Sequence, residues 1–197
     1  MRYNSKYLII ILTVLALVKG VTAAEKYTYT ETKIDDEIRI MADDFLNLRP
    51  MLGFDYLKMT LPEAYYWQGK MAEYLGKKYG KTVGYKTGGH NIGPTFATFP
   101  KDGIRGLVLE KMLLPTDSYI RVDSTMRGFL EADFAFRVKD DSINKAENEM
   151  ELLAGLDAII PFAEIPDPYY EEGTRTINGT VASNMGSRFS FIGAPVI

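Results

Sequence analysis

The chain has 197 residues, of which 46% are hydrophobic, so it can form one folded domain with a real core and wholesale disorder is excluded. It contains no cysteine, which excludes thiol nucleophiles, disulfides and cysteine-bearing zinc sites. A single histidine, His90, excludes any site that needs two imidazoles, so metal chemistry would have to rest mainly on carboxylates.

The N-terminus carries the pattern of a secretory signal. Arg2 and Lys6 precede an apolar run over residues 7–18, and small residues follow up to Ala24. This order is typical of a cleaved export signal, and the run is short for a membrane span. We therefore expect a signal peptide over residues 1–24 and an exported protein, periplasmic or secreted. The alternative is an uncleaved segment, which would be the protein's contact with a membrane.

The charge of the processed chain excludes one class of partner. Removing residues 1–24 takes away three basic residues and no acid, so the formal net charge changes from −3 to −6. An acidic protein is repelled by the phosphate backbone of nucleic acids. We therefore expect no nucleic acid partner.

Two amphipathic helices are predicted before residue 82. In the first, apolar residues recur at helical spacing up to the stop signal Arg49-Pro50. In the second, Thr60 and Glu63 form a capping box at the start, and Gly80 is suited to the end. We expect these helices to form an N-terminal helical segment over residues 25–81.

From residue 82 onward the pattern changes to short apolar strands separated by turns. Strands are predicted over residues 82–86, 106–114, 119–122, 129–138, 157–165 and 189–192, with one helix over residues 145–156. Helices followed by strands indicate an α+β fold, with a β-rich second domain over residues 82–197.

The strand over residues 129–138 carries two carboxylates, Glu131 and Asp133, on one face. The alternate residues from Leu130 to Val138 are apolar, and we expect that opposite face to lie against the core. Two carboxylates at this spacing repel each other unless solvent or a cation neutralises them. The pair indicates either a solvated strand face or part of a metal site.

A third carboxylate, Glu164, lies within an apolar strand, where an acid is costly unless it is paired or bound to a cation. A salt bridge to Arg137 or Arg121 would satisfy it. A metal ion shared with Glu131 and Asp133 would also satisfy it, and such an oxygen-donor site favours Mg²⁺ or Mn²⁺.

Four segments, taken together, carry a family resemblance. They are VGYKTG at residues 83–88, GLVLEKM at 106–112, LEADFAF at 130–136 and PFAEIPD at 161–167. In order and spacing they resemble the G-Y-K-x-G, G-x-L-x-x-x-M, E-x-E-I-A-F and P-x-x-E-I-x-D motifs of the fumarylacetoacetate hydrolase superfamily. Within it, the chain resembles the 2-keto-4-pentenoate hydratase group.

The resemblance implies a mixed β-roll or sandwich of this family's type, with a divalent ion held by Glu131, Asp133 and Glu164. The ion, Mg²⁺ or Mn²⁺, would chelate a small 2-oxo acid substrate. The implied activity is that of a lyase, which adds water to an unsaturated 2-oxo or 2-hydroxydienoic acid and gives a 4-hydroxy-2-oxo acid. Two alternatives stay open: hydrolysis or decarboxylation on the same metal site, and a non-catalytic exported binding or remnant protein.

Three further residues are candidates through the resemblance. Lys86 matches the family lysine near the metal and would orient a water or substrate oxygen, or stabilise negative charge; otherwise it is a surface lysine. His90 stands where the hydratases carry hydroxyl residues and would donate or carry a proton, unless it is an ordinary loop histidine. Asn184 partly matches an A-D-N segment and would contact substrate.

The resemblance also bears on the length of the β-rich part. Family members usually continue past the equivalent of Gly193, whereas this sequence stops at Ile197. We therefore expect either a fold truncated at its C-terminus or a roll that is closed by a homo-oligomer.

Overall fold

The computed structural model describes residues 9–11, 31–51, 59–89, 100 and 102–196. The helices are α1 (Glu31–Leu46), α2 (Leu61–Tyr79), α3 (Glu149–Ala154) and α4 (Ile177–Ala182). The strands are β1 (Ile9–Ile11), β2 (Thr82–Gly88), β3 (Ile104–Leu109), β4 (Leu113–Pro115), β5 (Glu131–Val138), β6 (Leu156–Ile165) and β7 (Phe189–Ile192). The predicted α+β class is confirmed. Among the described residues, the helices are too short or too polar to cross a bilayer.

Helix α2 begins and ends where the sequence predicts. The Thr60 side chain accepts a hydrogen bond from the Glu63 N–H, and the Glu63 carboxylate accepts one from the Thr60 N–H at 2.7 Å. Gly80 follows the last turn with a φ of 80°, which glycine adopts without steric cost. Local capping chemistry therefore fixes both ends of this helix.

The larger core lies between the helices and strand β3. Helices α1 and α2 pack against each other, and α4 and β3 also pack against α2. The fully buried side chains of this core include Ile38, Met41, Phe45, Met71, Leu75, Leu109, Met112 and Val181. The amphipathic periodicity of α1 and α2 therefore predicted this layer correctly.

The strands form two separate sheets. The larger has the order β1-β5-β6-β7-β4 and is antiparallel except for the parallel β4–β7 pair. Strands β2 and β3 form an antiparallel pair of their own. Strand β1, which lies inside the predicted export signal, pairs with residues 135–137 of β5.

Four local predictions differ from the structure. The single strand expected over residues 106–114 is two strands of different sheets, β3 and β4, separated by a 3₁₀ turn at Glu110–Met112. The strand expected over residues 119–122 is wrong, because that stretch is irregular and leads into a 3₁₀ turn at Val122–Ser124. The helix expected over residues 145–156 is limited to α3. Helix α4 was not predicted, because six residues are too few to show a helical period.

The expected orientation of strand β5 is also wrong. Ala135, on the same face as Glu131 and Asp133, is fully buried, whereas Phe134 on the other face is 59% exposed and the preceding Leu130 is 69% exposed. The reason is the pairing with β6, because Ala135 lies opposite Ile160, which is buried. The carboxylates therefore project from the face that is covered at Ala135, where Glu131 itself is exposed and Asp133 is half-buried.

Candidate functional site

The register of β5 and β6 brings the predicted carboxylates together. Glu131 lies directly opposite Glu164, and Asp133 lies opposite Phe162. Directly paired residues of antiparallel strands share a face, and so do residues two apart on one strand. Glu131, Asp133 and Glu164 therefore project from the same face of the sheet.

Lys86 of strand β2 meets this carboxylate group from the neighbouring sheet. Its Nζ donates a hydrogen bond to Oε1 of Glu164, and both residues are only 3% exposed. The interpretation of Lys86 as a surface lysine is therefore wrong. The predicted salt bridge from Glu164 to Arg137 or Arg121 is also wrong, because these arginines pair with aspartates near them in sequence or on the adjacent strand.

Gly106 of β3 makes room for this lysine. It is the register partner of Lys86, and a Cβ added to Gly106 would lie 3.0 Å from Cγ of Lys86. A side chain at that position would push the lysine stem away from the strand. The glycine at the start of the G-x-L-x-x-x-M segment therefore has a steric function beside the site.

Glu131 and Asp133 add two further carboxylates beside the Lys86–Glu164 pair. Partial burial raises the pKa of Glu131, the charge of Glu164 raises it further, and the Lys86 ammonium opposes both. Burial likewise raises the pKa of Asp133, with Lys86 again opposing. One ammonium thus faces three carboxylates, and an additional cation would stabilise the ionised forms of Glu131 and Asp133.

The chemistry of these donors fits a hard divalent cation, which prefers carboxylate oxygens. In the described residues, however, no group of three acidic or histidine side chains is arranged around a common point that could hold a metal ion. Glu164 is instead turned to the ammonium of Lys86. The donor set therefore fits, while the ion-pair arrangement of Glu164 occupies one of the donors.

Asn184 and His90 were the other two candidates. Asn184 is fully buried, its Oδ1 accepts from the Leu107 N–H at 2.6 Å, and its Nδ2 donates to the Leu107 carbonyl at 2.8 Å. Its amide is thus engaged with strand β3, and substrate contact by Asn184 stays a prediction. His90 lies outside the described residues, so its role also stays a prediction.

Sequence reasoning missed a second buried ion pair next to the site. Asp167 accepts hydrogen bonds from the N–H groups of Met126 and Arg127, at 2.9 and 2.7 Å. Its Oδ2 also lies 2.8 Å from Nε of Arg188, and the side chains of both residues are at most 3% exposed. Asp167 ends the P-x-x-E-I-x-D segment and could have been noticed, whereas no motif marks Arg188.

The fold is similar to that of 4-oxalocrotonate decarboxylase from Pseudomonas putida G7. One structure, complexed with magnesium and adipate, aligns with a TM-score of 0.73 at 20% identity, over 85% of this chain and 65% of that chain. Another, complexed with calcium and acetate, aligns with a TM-score of 0.69 at 20% identity, over 85% of this chain and 64% of that chain.

Comparisons by sequence add nothing to this structural likeness. No family model matches the chain. No curated protein matches it either. The chain spans less than two thirds of the length of the solved structures that it resembles. The likeness confirms the predicted α+β fold of the fumarylacetoacetate hydrolase type.

Proposed function

We propose that this protein is a divalent-metal-dependent enzyme that acts on a small 2-oxo acid and stabilises the enolate formed from it. The observation that carries the proposal is the buried Lys86–Glu164 pair on the same covered face as Glu131 and Asp133. Ionisable groups with perturbed surroundings cluster at functional sites more often than elsewhere.

In this proposal Glu131, Asp133 and Glu164 hold Mg²⁺ or Mn²⁺. Support comes from the oxygen-donor set and from the two structures of the same fold, each complexed with a divalent cation and a carboxylate. A bound ion would supply Lewis acidity towards the carboxylate and 2-oxo oxygens of the substrate.

Lys86 would supply the fixed positive charge. Its ammonium is buried, so its field is screened less than that of a surface lysine, and it is held in place by Glu164. Such a group stabilises negative charge that develops on an oxygen as an enolate forms. Lys86 is therefore the residue expected to affect turnover more than binding.

The first form of the reaction is hydration, as the family resemblance implies. The dienol takes a proton at its terminal carbon, releases the proton of its 2-hydroxyl group and becomes an unsaturated 2-oxo acid. The hydroxyl group of water then joins C4 and a proton joins C3, which gives the 4-hydroxy-2-oxo acid. This form needs a proton carrier, for which Lys86 and His90 are the candidates.

The second form is decarboxylation, which the likeness to a decarboxylase favours. Here the substrate carries a second carboxylate that is conjugated with the 2-oxo group through a double bond; the bond to this carboxylate breaks, carbon dioxide leaves, and the electron pair is delocalised towards the 2-oxo oxygen. A proton then joins the carbon that lost the carboxylate. In this form Lys86 would stabilise the enolate, and no base is needed to activate water.

The proposal is tested by a thermal titration. Mg²⁺ or Mn²⁺ should raise the melting temperature, and oxalate, a mimic of a 2-oxo acid, should raise it further only when metal is present. A cooperative melt that no metal shifts would contradict the proposal and favour a non-catalytic binding or remnant protein. Disappearance of a 2-hydroxydienoic monoacid without carbon dioxide release would indicate hydration, and carbon dioxide release from an unsaturated 2-oxo diacid would indicate decarboxylation.

Replacing Lys86 separates catalysis from metal binding. Lys86→Met should lower kcat by roughly 10²–10³-fold, because one preorganised electrostatic donor is lost, while metal still binds. Lys81→Met is the matched control, since Lys81 is an exposed lysine just before the same strand. Equal kcat values for the two variants would contradict the role of Lys86.

We also propose that the protein is exported, on the basis of its N-terminal pattern. The cleavage would remove strand β1 and leave residues 135–137 of β5 without that partner strand. The mass of the N-terminal peptide in protein recovered from outside the cytoplasm tests this. A peptide that begins at Met1 would contradict cleavage.

A further inference from the structure

The turn at Asn184–Gly186 has an unusual backbone. Asn184, Met185 and Gly186 are consecutive and adopt φ values of 59°, 55° and 63°. Side chains disfavour this left-handed region, so the conformation at Asn184 and Met185 costs energy. Strained backbone of this kind persists only where its surroundings hold it, and it clusters at functional sites.

One side of this turn holds strand β3. The side-chain amide of Asn184 makes two hydrogen bonds to the backbone of Leu107. The backbone carbonyl oxygen of Asn184 lies 3.2 Å from where a Cβ on Gly106 would be. Gly106 is the residue on which the Lys86 stem lies. Asn184 therefore fixes the part of β3 that supports Lys86.

The other side of the turn holds the segment that follows Glu164. The Gly186 carbonyl accepts a hydrogen bond from the Asp167 N–H at 2.8 Å. A Cβ on Gly186 would lie 2.6 Å from the backbone nitrogen of Pro168, so only glycine fits there. Asp167 is three residues after Glu164, and this contact therefore sets the position of the end of β6.

Met185, between these two residues, contacts strand β2. Its Cε lies 3.3 Å from where a Cβ on Gly88 would be, and Gly88 is two residues after Lys86. The three residues of the turn thus contact β2, β3 and the end of β6, which are the elements that carry Lys86 and Glu164.

We propose that the left-handed turn Asn184–Gly186 is the positioning element that holds Lys86 against Glu164. Asn184 is then a positioning residue that acts through β3 and Lys86, in place of the substrate contact that the sequence suggested. The meaning of this arrangement for catalysis rests on the proposed function, whereas the positioning itself is a property of the folded chain.

The rate at which acetic anhydride modifies Lys86, measured by peptide mass spectrometry, tests the positioning. Asn184→Gly keeps the left-handed backbone accessible and removes the two hydrogen bonds to Leu107. It should raise the rate of Lys86 acetylation about tenfold, as expected for the loss of buried hydrogen bonds. An unchanged rate in this variant would contradict the proposal.

Gly173→Ala is the matched control for general destabilisation. Gly173 also has a left-handed φ, of 76°, but a Cβ there meets nothing within 4 Å. This variant should therefore lower the melting temperature without changing Lys86 acetylation. An equal increase in acetylation for Gly173→Ala and Asn184→Gly would mean that loss of stability alone exposes Lys86, which overturns the proposal.

A second variant keeps the test decisive if Asn184→Gly does not fold. Met185→Gly relieves the left-handed strain at a non-glycine residue and removes the contact with Gly88. It should also accelerate Lys86 acetylation, by a smaller factor, because both hydrogen bonds to Leu107 remain. No acceleration in this variant, with Asn184→Gly unfolded, would likewise contradict the proposal.

Turnover by the metal-loaded protein connects the turn to the site. Asn184→Gly should lower kcat, but should cause no further loss in a Lys86→Met background, because residues that act through each other are not additive. The same loss in both backgrounds would show that Asn184 acts independently of Lys86. Failure of the wild type to bind metal would overturn the proposed function alone, since acetylation needs no metal.

Discussion

The helical layer and the five-stranded sheet differ in what they bury. The core around α1 and α2 buries Ile, Leu, Met, Phe and Trp side chains. The buried apolar cluster of the sheet consists of Ala135, Ala158, Ile160 and Phe162. The charged Lys86–Glu164 pair lies beside the N-terminal end of β5, where Glu131 is located. The large apolar side chain of Phe134 lies on the opposite, exposed face of this sheet.

This difference assigns stability and chemistry to different parts of the molecule. A fully buried aliphatic side chain contributes roughly 1.5–3 kcal/mol relative to an exposed one. A buried ion pair contributes little net stability, because desolvation offsets its Coulomb attraction. The helical layer therefore supplies most of the apolar stabilisation, and the covered sheet face carries groups that are explained better by binding.

The largest effect should come from Glu164→Ala. This change leaves the Lys86 ammonium buried without its partner, which should destabilise the protein by about 3–5 kcal/mol in urea unfolding. It should also abolish binding of Mg²⁺ and Mn²⁺ in a calorimetric titration. Glu164→Gln is the control, because it keeps an acceptor for Lys86 while removing the charge. Full metal affinity in Glu164→Ala would show that the assignment of the site is wrong.

Leu75→Ala tests the other region. Leu75 is fully buried in the helical core, and its truncation should cost about 2–5 kcal/mol through lost burial and a cavity. Metal affinity, measured well below the melting temperature, should stay unchanged, because α2 contributes no carboxylate to the site. A parallel loss of metal affinity would show that the two regions are coupled.

Thr60→Ala should have a smaller effect, confined to the start of α2. It removes the capping box with Glu63, which should cost about 1 kcal/mol. Chemical denaturation measures the loss, and Thr60→Ser, which keeps the hydroxyl, should show little of it. Equal destabilisation by both substitutions would mean that the cap hydroxyl is not the source of the effect.

Glu131→Gln should have the smallest effect on stability, and in the opposite direction. The pKa of Glu131 is raised in the folded protein, so its ionised form is disfavoured there. That cost is absent below the unfolded pKa and appears as the pH rises through the folded pKa. With a chelator at neutral pH, Glu131→Gln should therefore melt slightly higher than the wild type.

When metal is added, Glu131→Gln should melt at a lower temperature than the wild type. Saturating Mg²⁺ should stabilise the wild type and have little effect on Glu131→Gln, because one ligand is lost. Below the unfolded pKa of glutamate, the two metal-free proteins should melt alike. A wild type that melts higher than the variant in chelator at neutral pH would contradict the unfavourable ionisation of Glu131.

Much of the helical layer could be predicted from local sequence. The capping box at Thr60 and the apolar period of α2 are short-range patterns, and α2 forms as they predict. The β-rich part was predicted less completely. Helix α4 is too short to show a period, and the irregular stretch at residues 119–122 has strand-like composition without a pairing partner in the described sheets.

For the site, motif order predicted that Glu131, Asp133, Glu164 and Lys86 lie near one another. The β5–β6 register and the Lys86–Glu164 pair agree with this placement, and the roles of the four residues stay predictions. The sequence did not reveal that the carboxylates lie on the covered face, because alternation alone suggested that the side with Phe134 was buried. The pairing of β5 with β6 decides this, and no local pattern encodes that pairing.

By itself, the sequence determined the α+β class, the ends of α2 and the identity of the carboxylates, because these depend on capping, periodicity and residue type. Only the tertiary structure decided which cation meets Glu164, that Gly106 makes room for Lys86, and that Asn184 holds Leu107. The physical reason is distance along the chain. Each of these contacts joins residues far apart in sequence, and such contacts exist only after the strands have paired and the turn has closed on them.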